Sequence, residues 1–360
     1  MWLYFGLIAL VMQGYVAWHV WQLLPWCVGA KVAVMALIAV AVACAAGQFY
    51  SDKFPLWLAT TIYEVGNSWL VISLYLTMAF LLLDIGRLTR LVPASWTHGN
   101  GVTCGVLTLL MLVIFIGGNI HYHHKQRREI TITSPKVTKP HKIVMFSDMH
   151  CGYHNRRAEI ARWVDTINAE RPDVVLIAGD IIDGYIRPVD KQATWKEFRR
   201  ISAPVYACLG NHEYITGLDA SLRFYRQAGI KLLRDRTARV GNLLLIGRDD
   251  RSNRQRAKLA ALLPANNAAY SIVLDHQPYQ LEQAETAGID LQLSGHTHHG
   301  QVFPLNLLTN AMYECAYGWH SRGNTRYYVS SGIGLWGGKF RIGTDSEYLV
   351  INITPARRTR

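Results

Sequence analysis

The apolar positions of this chain fall into two regimes. As far as Ile120 they form long, nearly unbroken blocks, and from Ile143 onward they form short runs separated by amphipathic stretches. Four blocks, 2–24, 26–49, 56–83 and 102–120, reach the roughly 20 residues that a helix needs to cross the hydrocarbon of a bilayer. Pro25 and the Ser51-Asp52-Lys53 triplet interrupt the first two turns, and Pro93 and Gly99 lie in the third. The first block has no positive leading segment and is followed by further spans, so it is read as retained rather than as a cleaved signal.

In the second regime, 143–146, 174–177, 205–209, 271–274 and 291–293 read as buried strands. Segments 156–170, 191–200 and 218–228 read as helices, the last with Gly229 at its C-cap. Later strands at 243–246, 326–330 and 348–353 have no helices between them. The pattern predicts an anchor of about four transmembrane helices over 1–120, a basic juxtamembrane linker over 121–142 and an α/β domain over 143–355 with one or two sheets.

Charge sharpens the division. Before Gly118 only Lys31, Asp52, Lys53, Glu64, Asp84, Arg87 and Arg90 are charged, so nearly all of the net +12 belongs to the second regime. That favours anionic partners, either phosphorylated substrates or anionic lipid. No arginine–aromatic stripe accompanies it, so nucleic acid is not an expected partner. Arg251, Arg254, Arg256 and Lys258 read as a solvated helix face. Glu64 and Asn67 lie inside the third block and Asp84 near its end; an interface or a neighbouring helix is expected to satisfy them, leaving the blocks as an anchor. The His121-Tyr122-His123-His124-Lys125 run reads as a polar interfacial collar. Lys53, Lys125, Arg127 and Arg128 on one side outweigh Arg87, Arg90 and Lys31, which predicts an inner-membrane protein with a cytoplasmic α/β domain. The six cysteines contain no CxxC pair and are too scattered to imply a disulfide scaffold or a zinc ribbon, which favours a reducing compartment. Nothing in the pattern specifies an oligomer.

The chemistry lies at the strand ends. Ser147-Asp148-Met149-His150 follows the first strand, Gly179-Asp180-Ile181-Ile182-Asp183 the second and Gly210-Asn211-His212-Glu213 the third. Asp275-His276 and Gly295-His296-Thr297-His298 follow two more. Ligands of α/β sheets bind at this carboxyl edge. Five such clusters without a thiolate offer oxygen and nitrogen donors suited to Mn²⁺, Fe, Zn²⁺ or Co²⁺.

Taken together these residues resemble the calcineurin-like metallophosphoesterase family, whose pattern D-x-H, G-D-x-x-D, G-N-H-[E/D], H and G-H-x-H is matched in order. The likeness spans about 143–353, and the stretches around Asp148 and His296, with Phe340-Arg341-Ile342-Gly343, look most like its bacterial membrane-associated branch. His299 and Cys151 depart slightly from the usual pattern. The resemblance implies a four-layer αββα sandwich with two divalent metals, Mn, Fe or Zn, at the strand ends. It implies Asp148, His150 and His298 on one metal, Asn211, His276 and His296 on the other, and Asp180 bridging, with a bridging water or hydroxide attacking phosphorus. His212 resembles the family's acid, and Asp183 its orienting partner, favouring the charged imidazole. The expected activity is hydrolysis of a phosphoester or pyrophosphate of a lipid or amphiphile. The alternatives are a soluble phosphodiesterase or phosphatase, or a membrane scaffold or transporter with a regulatory phosphoesterase-like domain. Substrate choice is expected in the loops holding Tyr185, Arg187 and Trp195 and in the stretch with Asn306, Tyr313, Trp319 and His320.

Overall fold

A computed structural model describes residues 2–356. It divides into two compact units: Met1–Ile120 with Gly337–Phe340, and His121–Trp336 with Arg341–Arg360.

The first unit is built from α1 (Trp2–Leu23), α2 (Val28–Gly47), α3 (Leu56–Leu88) and most of α4 (Gly101–His123). Among the described residues, three helical stretches, Val28–Lys53, Leu56–Leu88 and Gly101–His123, are long and apolar enough to cross a membrane, and α1 is the fourth helix that the pattern anticipates. Polar groups inside these helices find partners on neighbouring turns and helices. Tyr15 Oη donates to Asp84 Oδ2 at 2.7 Å, and Asn67 Nδ2 donates to Gln48 Oε1 at 2.9 Å. Gly337–Phe340 packs with these helices: Asn119 Nδ2 donates to the Lys339 carbonyl at 2.9 Å, and Phe340 meets Phe115 edge-on.

The second unit has twelve strands in two six-stranded sheets. The strands are β1 (Lys125–Ser134), β2 (His141–Phe146), β3 (Val174–Ala178), β4 (Val205–Cys208), β5 (Lys231–Leu232) and β6 (Arg236–Val240). They continue with β7 (Leu243–Gly247), β8 (Tyr270–Leu274), β9 (Leu291–Ser294), β10 (Gly318–Arg322), β11 (Thr325–Val329) and β12 (Ser346–Pro355). One sheet runs β1-β12-β2-β3-β4-β5 and the other β10-β11-β9-β8-β7-β6. The helices are α5 (Arg157–Ala169), α6 (Ile186–Gln192), α7 (Trp195–Phe198), α8 (Asn211–Thr216), α9 (Leu218–Ala228), α10 (Glu282–Thr286) and α11 (Leu305–Met312).

Side-chain alternation explains the layering. In β3, Val175 and Ile177 join a core with Ile160, Trp163 and Val164 of α5, whereas Val174, Leu176 and Ala178 join a core with Leu245, Ile272 and Leu293 of the other sheet. A third core places Ile246, Val273 and Val329 against Leu281 and Ala284. These three cores are the interior of the four-layer sandwich that the motif pattern implies.

Three local expectations change. Residues 121–142 are not a linker: β1 pairs in parallel with β12 over ten positions, because Ile130, Ile132 and Ser134 point inward at every second residue. The helix expected over 191–200 is broken into α6 and α7 at Ala193, which adopts φ 49°. Arg251–Lys258 forms no helix; Arg256 turns inward to donate to Asp275 Oδ1 at 3.0 Å.

Candidate metal centre

Strands β2, β3 and β4 run parallel in one sheet, and β7, β8 and β9 in the other. Their carboxyl ends therefore open at one edge, and the turn after each delivers its polar residues there. Among the described residues, three groups bring ligand-type atoms within 4.8 Å of one another: Asp148, His150 and His298; His150, Asp180 and His212; and Asp180, His276 and His296. Six of the seven residues expected as metal ligands are in these groups, and Asp180 belongs to two of them. The seventh, Asn211, leaves its buried Oδ1 without a hydrogen-bond partner.

The backbone is bent to achieve this. Asp148, His150, Asp180, His296 and His298 all have positive φ, between 47° and 73°, a conformation that L residues seldom adopt. Two glycines make room: a Cβ at Gly295 would lie 2.3 Å from Asp148 Oδ2, and one at Gly210 would lie 2.1 Å from Asp180 Oδ1.

The hydrogen bonds fit a cation-binding set. His276 Nδ1 bonds the Ala178 carbonyl at 2.7 Å, which turns Nε2 inward, 3.1 Å from Asp180 Oδ2 without hydrogen-bond geometry. His150 Nδ1 bonds Asp183 Oδ1 at 3.1 Å, so its Nε2 faces His298 Nε2 at 3.0 Å. Imidazoles held from behind by a carbonyl or carboxylate, with inner nitrogens converging on carboxylates, are the usual supports of metal ligands. The residues present fit two divalent cations sharing Asp180.

The model for calcineurin-like phosphoesterases matches residues 141–300. An uncharacterized metallophosphoesterase of Campylobacter jejuni is 30% identical over 256 residues, covering 69% of this chain and 68% of that protein. The chain belongs to the calcineurin-like metallophosphoesterase family. A Danio rerio transmembrane protein with a metallophosphoesterase domain is 27% identical, covering 83% of this chain and 74% of its own length. Among solved structures, a dimetal phosphatase from Danio rerio shares 12% identity at a TM-score of 0.37, covering 56% of this chain and 88% of that one.

Membership makes this metallophosphoesterase a metal-dependent phosphoester hydrolase. Burial opposes ionisation of Asp148 and Asp180, yet the surrounding histidines hold both carboxyls below the usual range. Burial likewise opposes a charge on His150, but Asp148 and Asp183 raise it to about 10. His296, buried beside His276, falls to about 4. Asp183 lies between two imidazoles. It bonds His150 and lies 3.6 Å from His212 Nδ1, and burial lowers the His212 pKa despite the attraction of Asp180 and Asp183. Asp183 therefore lies within reach of both imidazoles, hydrogen-bonded to His150 and ion-paired at longer range with His212.

Two supporting residues carry more than their motifs disclosed. Glu213, fully buried, accepts from the backbone N–H groups of Asp180, Ile181, Ile182 and Gly210 at 2.7–3.2 Å, joining two ligand loops. Its place three residues after Gly210, at the start of α8, is capping-box spacing, a signal available in the sequence. Arg341, also buried, donates to the carbonyls of His298, Ser331 and Gly334. His299 stacks on Tyr317 at 4.6 Å and is outside the three groups. Of the proposed substrate-loop residues, Tyr313 lies 6.3 Å from His296, ring to ring, whereas Trp319 lines a separate groove with Glu129 and Arg326. The His121–Lys125 run forms no shared donor group among the described residues; His121 pairs with Asp345 and Tyr122 with Asn155.

Proposed function

We propose that this chain is a membrane-anchored dinuclear phosphohydrolase that cleaves a phosphoester or pyrophosphate bond of a lipid or amphiphilic substrate. The observation that carries it is the pair of donor groups sharing Asp180 at one sheet edge. In this reading Asp148, His150 and His298 hold one cation, Asn211, His276 and His296 hold the second, and Asp180 serves both. Two bound divalent cations supply Lewis-acid stabilisation of phosphoryl oxygens and acidify the attacking water. His212, whose side chain keeps 20% exposure, stands at the accessible side and serves the leaving-group oxygen as proton donor. Asp183 acts as a positioning residue for His212, 3.6 Å away, and for His150, which it hydrogen-bonds.

Support for anchoring comes from the three helices of spanning length and from the relatives that are named as transmembrane proteins. Support for a cytoplasmic catalytic unit comes from Lys125, Arg127 and Arg128 immediately after the last span. Anchoring and a basic surface both favour an anionic substrate that resides in the membrane.

The test is turnover of bis-p-nitrophenyl phosphate by the detergent-purified full chain, stripped of metal and then supplied with Mn²⁺, Fe²⁺ or Zn²⁺. Metal-dependent turnover is expected, with a loss of about 100-fold or more in His212→Ala and a larger one in Asp180→Asn. No turnover and no bound metal would refute the hydrolase. Activity confined to soluble nucleotides in a screen against phospholipids would refute the lipid preference.

A further inference from the structure

Helix α11 is an apolar surface beside the metal centre. Its eight residues, Leu305 to Met312, include no charged side chain, and none of them is buried. Leu307, Leu308 and Met312 are 57–58% exposed, and Phe303, just ahead of the helix, is 46% exposed. Soluble surfaces usually scatter such residues singly; a contiguous cluster marks a site that something apolar covers.

The helix is fastened to the ligand loop. Gly300 has φ 72°, and a Cβ there would lie 2.2 Å from the Asn306 backbone nitrogen, so the start of α11 presses on the turn that follows His296 and His298. Beyond the helix, Tyr313 stands 6.3 Å from His296, ring to ring, and accepts a hydrogen bond from Tyr279 Oη at 3.0 Å. The guanidinium of Arg251 lies 4.1 Å over the Tyr279 ring. The Trp336 carbonyl accepts from Gln301 Nε2 on the same loop, and the Trp336 side chain is 53% exposed.

The rim therefore runs from apolar helix through tyrosine hydroxyls to an arginine. A bilayer presents the complementary order, from acyl chains through the interface where Tyr and Trp are enriched to anionic headgroups. A protein partner would not require that polarity gradient, and this chain also has three helices of membrane-spanning length. We propose that α11 seats its leucines in the acyl layer of a bilayer, so that the site takes the phosphate of a lipid phosphoester directly from the membrane surface, with Arg251 at the headgroup. The inference about substrate rests on the phosphohydrolase reading above; the seating of α11 does not.

The test uses the full chain in nanodiscs of phosphatidylcholine and phosphatidylglycerol, with a photoreactive benzophenone amino acid replacing Leu308 or, as a control, the exposed Arg239 of β6. Lipid adducts in clear excess at 308 over 239 are expected. Equal yields, or adducts only to a second copy of the chain, would overturn the seating. A kinetic arm compares hexadecyl p-nitrophenyl phosphate with bis-p-nitrophenyl phosphate in the same nanodiscs. For Leu307→Glu combined with Leu308→Glu, the ratio of the two kcat/KM values should shift about tenfold against the long-chain ester, the scale of one leucine losing apolar contact. An unchanged ratio would overturn delivery by α11. Lipid adducts at 308 in a chain that hydrolyses neither ester would keep the seating and refute the hydrolase reading.

Discussion

Asp180 shows how much one side chain is asked to do at this site. Its Oδ2 approaches the inner nitrogen of His276, its Oδ1 accepts the backbone N–H of His212 at 2.9 Å, and its own backbone N–H is held by Glu213. Glu213 is thus the residue that keeps the Asp180 and Gly210 turns together. Burial, followed by the nearby Asp180 charge, pushes its carboxyl up to about 7, while the N–H groups of Gly210 and Ile182 pull it down. Glu213→Ala would leave those four donors without an acceptor. At about 1–3 kcal/mol for each unsatisfied buried group, a loss of at least about 3 kcal/mol is expected after water enters. Thermal unfolding and metal content measured on one sample check this: both should fall, and full metal occupancy would show that Asp180 needs no such support. Arg341 has the matching role on the other side, holding the His298 carbonyl at 2.7 Å. Both residues are ionisable, buried and remote from any solvent-facing purpose, which is what distinguishes support for a site from decoration of a surface.

At the level of elements, the decisive feature is that five turns follow strands whose carboxyl ends share one edge. The edge strand β1 contributes no ligand yet completes the first sheet, so its inward residues test the architecture separately from the chemistry. Ile132, 2% exposed in the core between the sheets, is the sharpest probe. Ile132→Asp should destabilise the catalytic unit by about 3 kcal/mol or more, since it removes apolar contact and buries a carboxylate. Chemical unfolding in detergent measures it, and a change below about 1 kcal/mol would return 125–134 to the status of a linker. The C-terminal end of α4 belongs to the same unit. Tyr122 is buried there, donating to Asn155 Oδ1 at 2.7 Å, and Asn155 Nδ2 in turn donates to the Met149 carbonyl between two ligand-type residues.

The whole molecule combines an apolar helical unit with a basic catalytic unit, and acid should act on the second through its ion pairs. Glu170 is the clearest case. Its carboxylate accepts from Arg127 at 2.6 Å, from Lys142 at 3.1 Å and from Tyr348 at 3.1 Å, and Arg127 above all holds its pKa near 2 instead of 4.5. A carboxyl depressed in the folded state stabilises above its unfolded pKa, and that contribution is lost as pH falls from about 4.5 towards about 2. Glu170→Gln should therefore flatten the acid limb of the stability curve by about 1 kcal/mol, after discounting for solvent screening. Melting temperatures at pH 3 and pH 7 give the comparison, and parallel slopes for the two proteins would exclude Glu170 as a contributor.

Much of this was legible in the linear chain because it rests on short-range periodicity. Four long apolar blocks, strands such as 143–146 and 174–177, helix 218–228 and the polar clusters at the strand ends are all set by neighbours a few residues apart, and the helices and strands follow. β1 was hidden because its first half is polar and its partner, β12, lies more than two hundred residues later. The break at Ala193 and the inward turn of Arg256 depend on packing, which no local period records. The family pattern pairs Asp183 with His212, and that its carboxylate also bonds His150 is a matter of side-chain geometry that no motif records. Residue types and order determined which chemistry this chain can perform. Only the parallel strand ends and the left-handed turns at their tips decided which donors converge, and only the exposed face of α11 shows an apolar surface beside them.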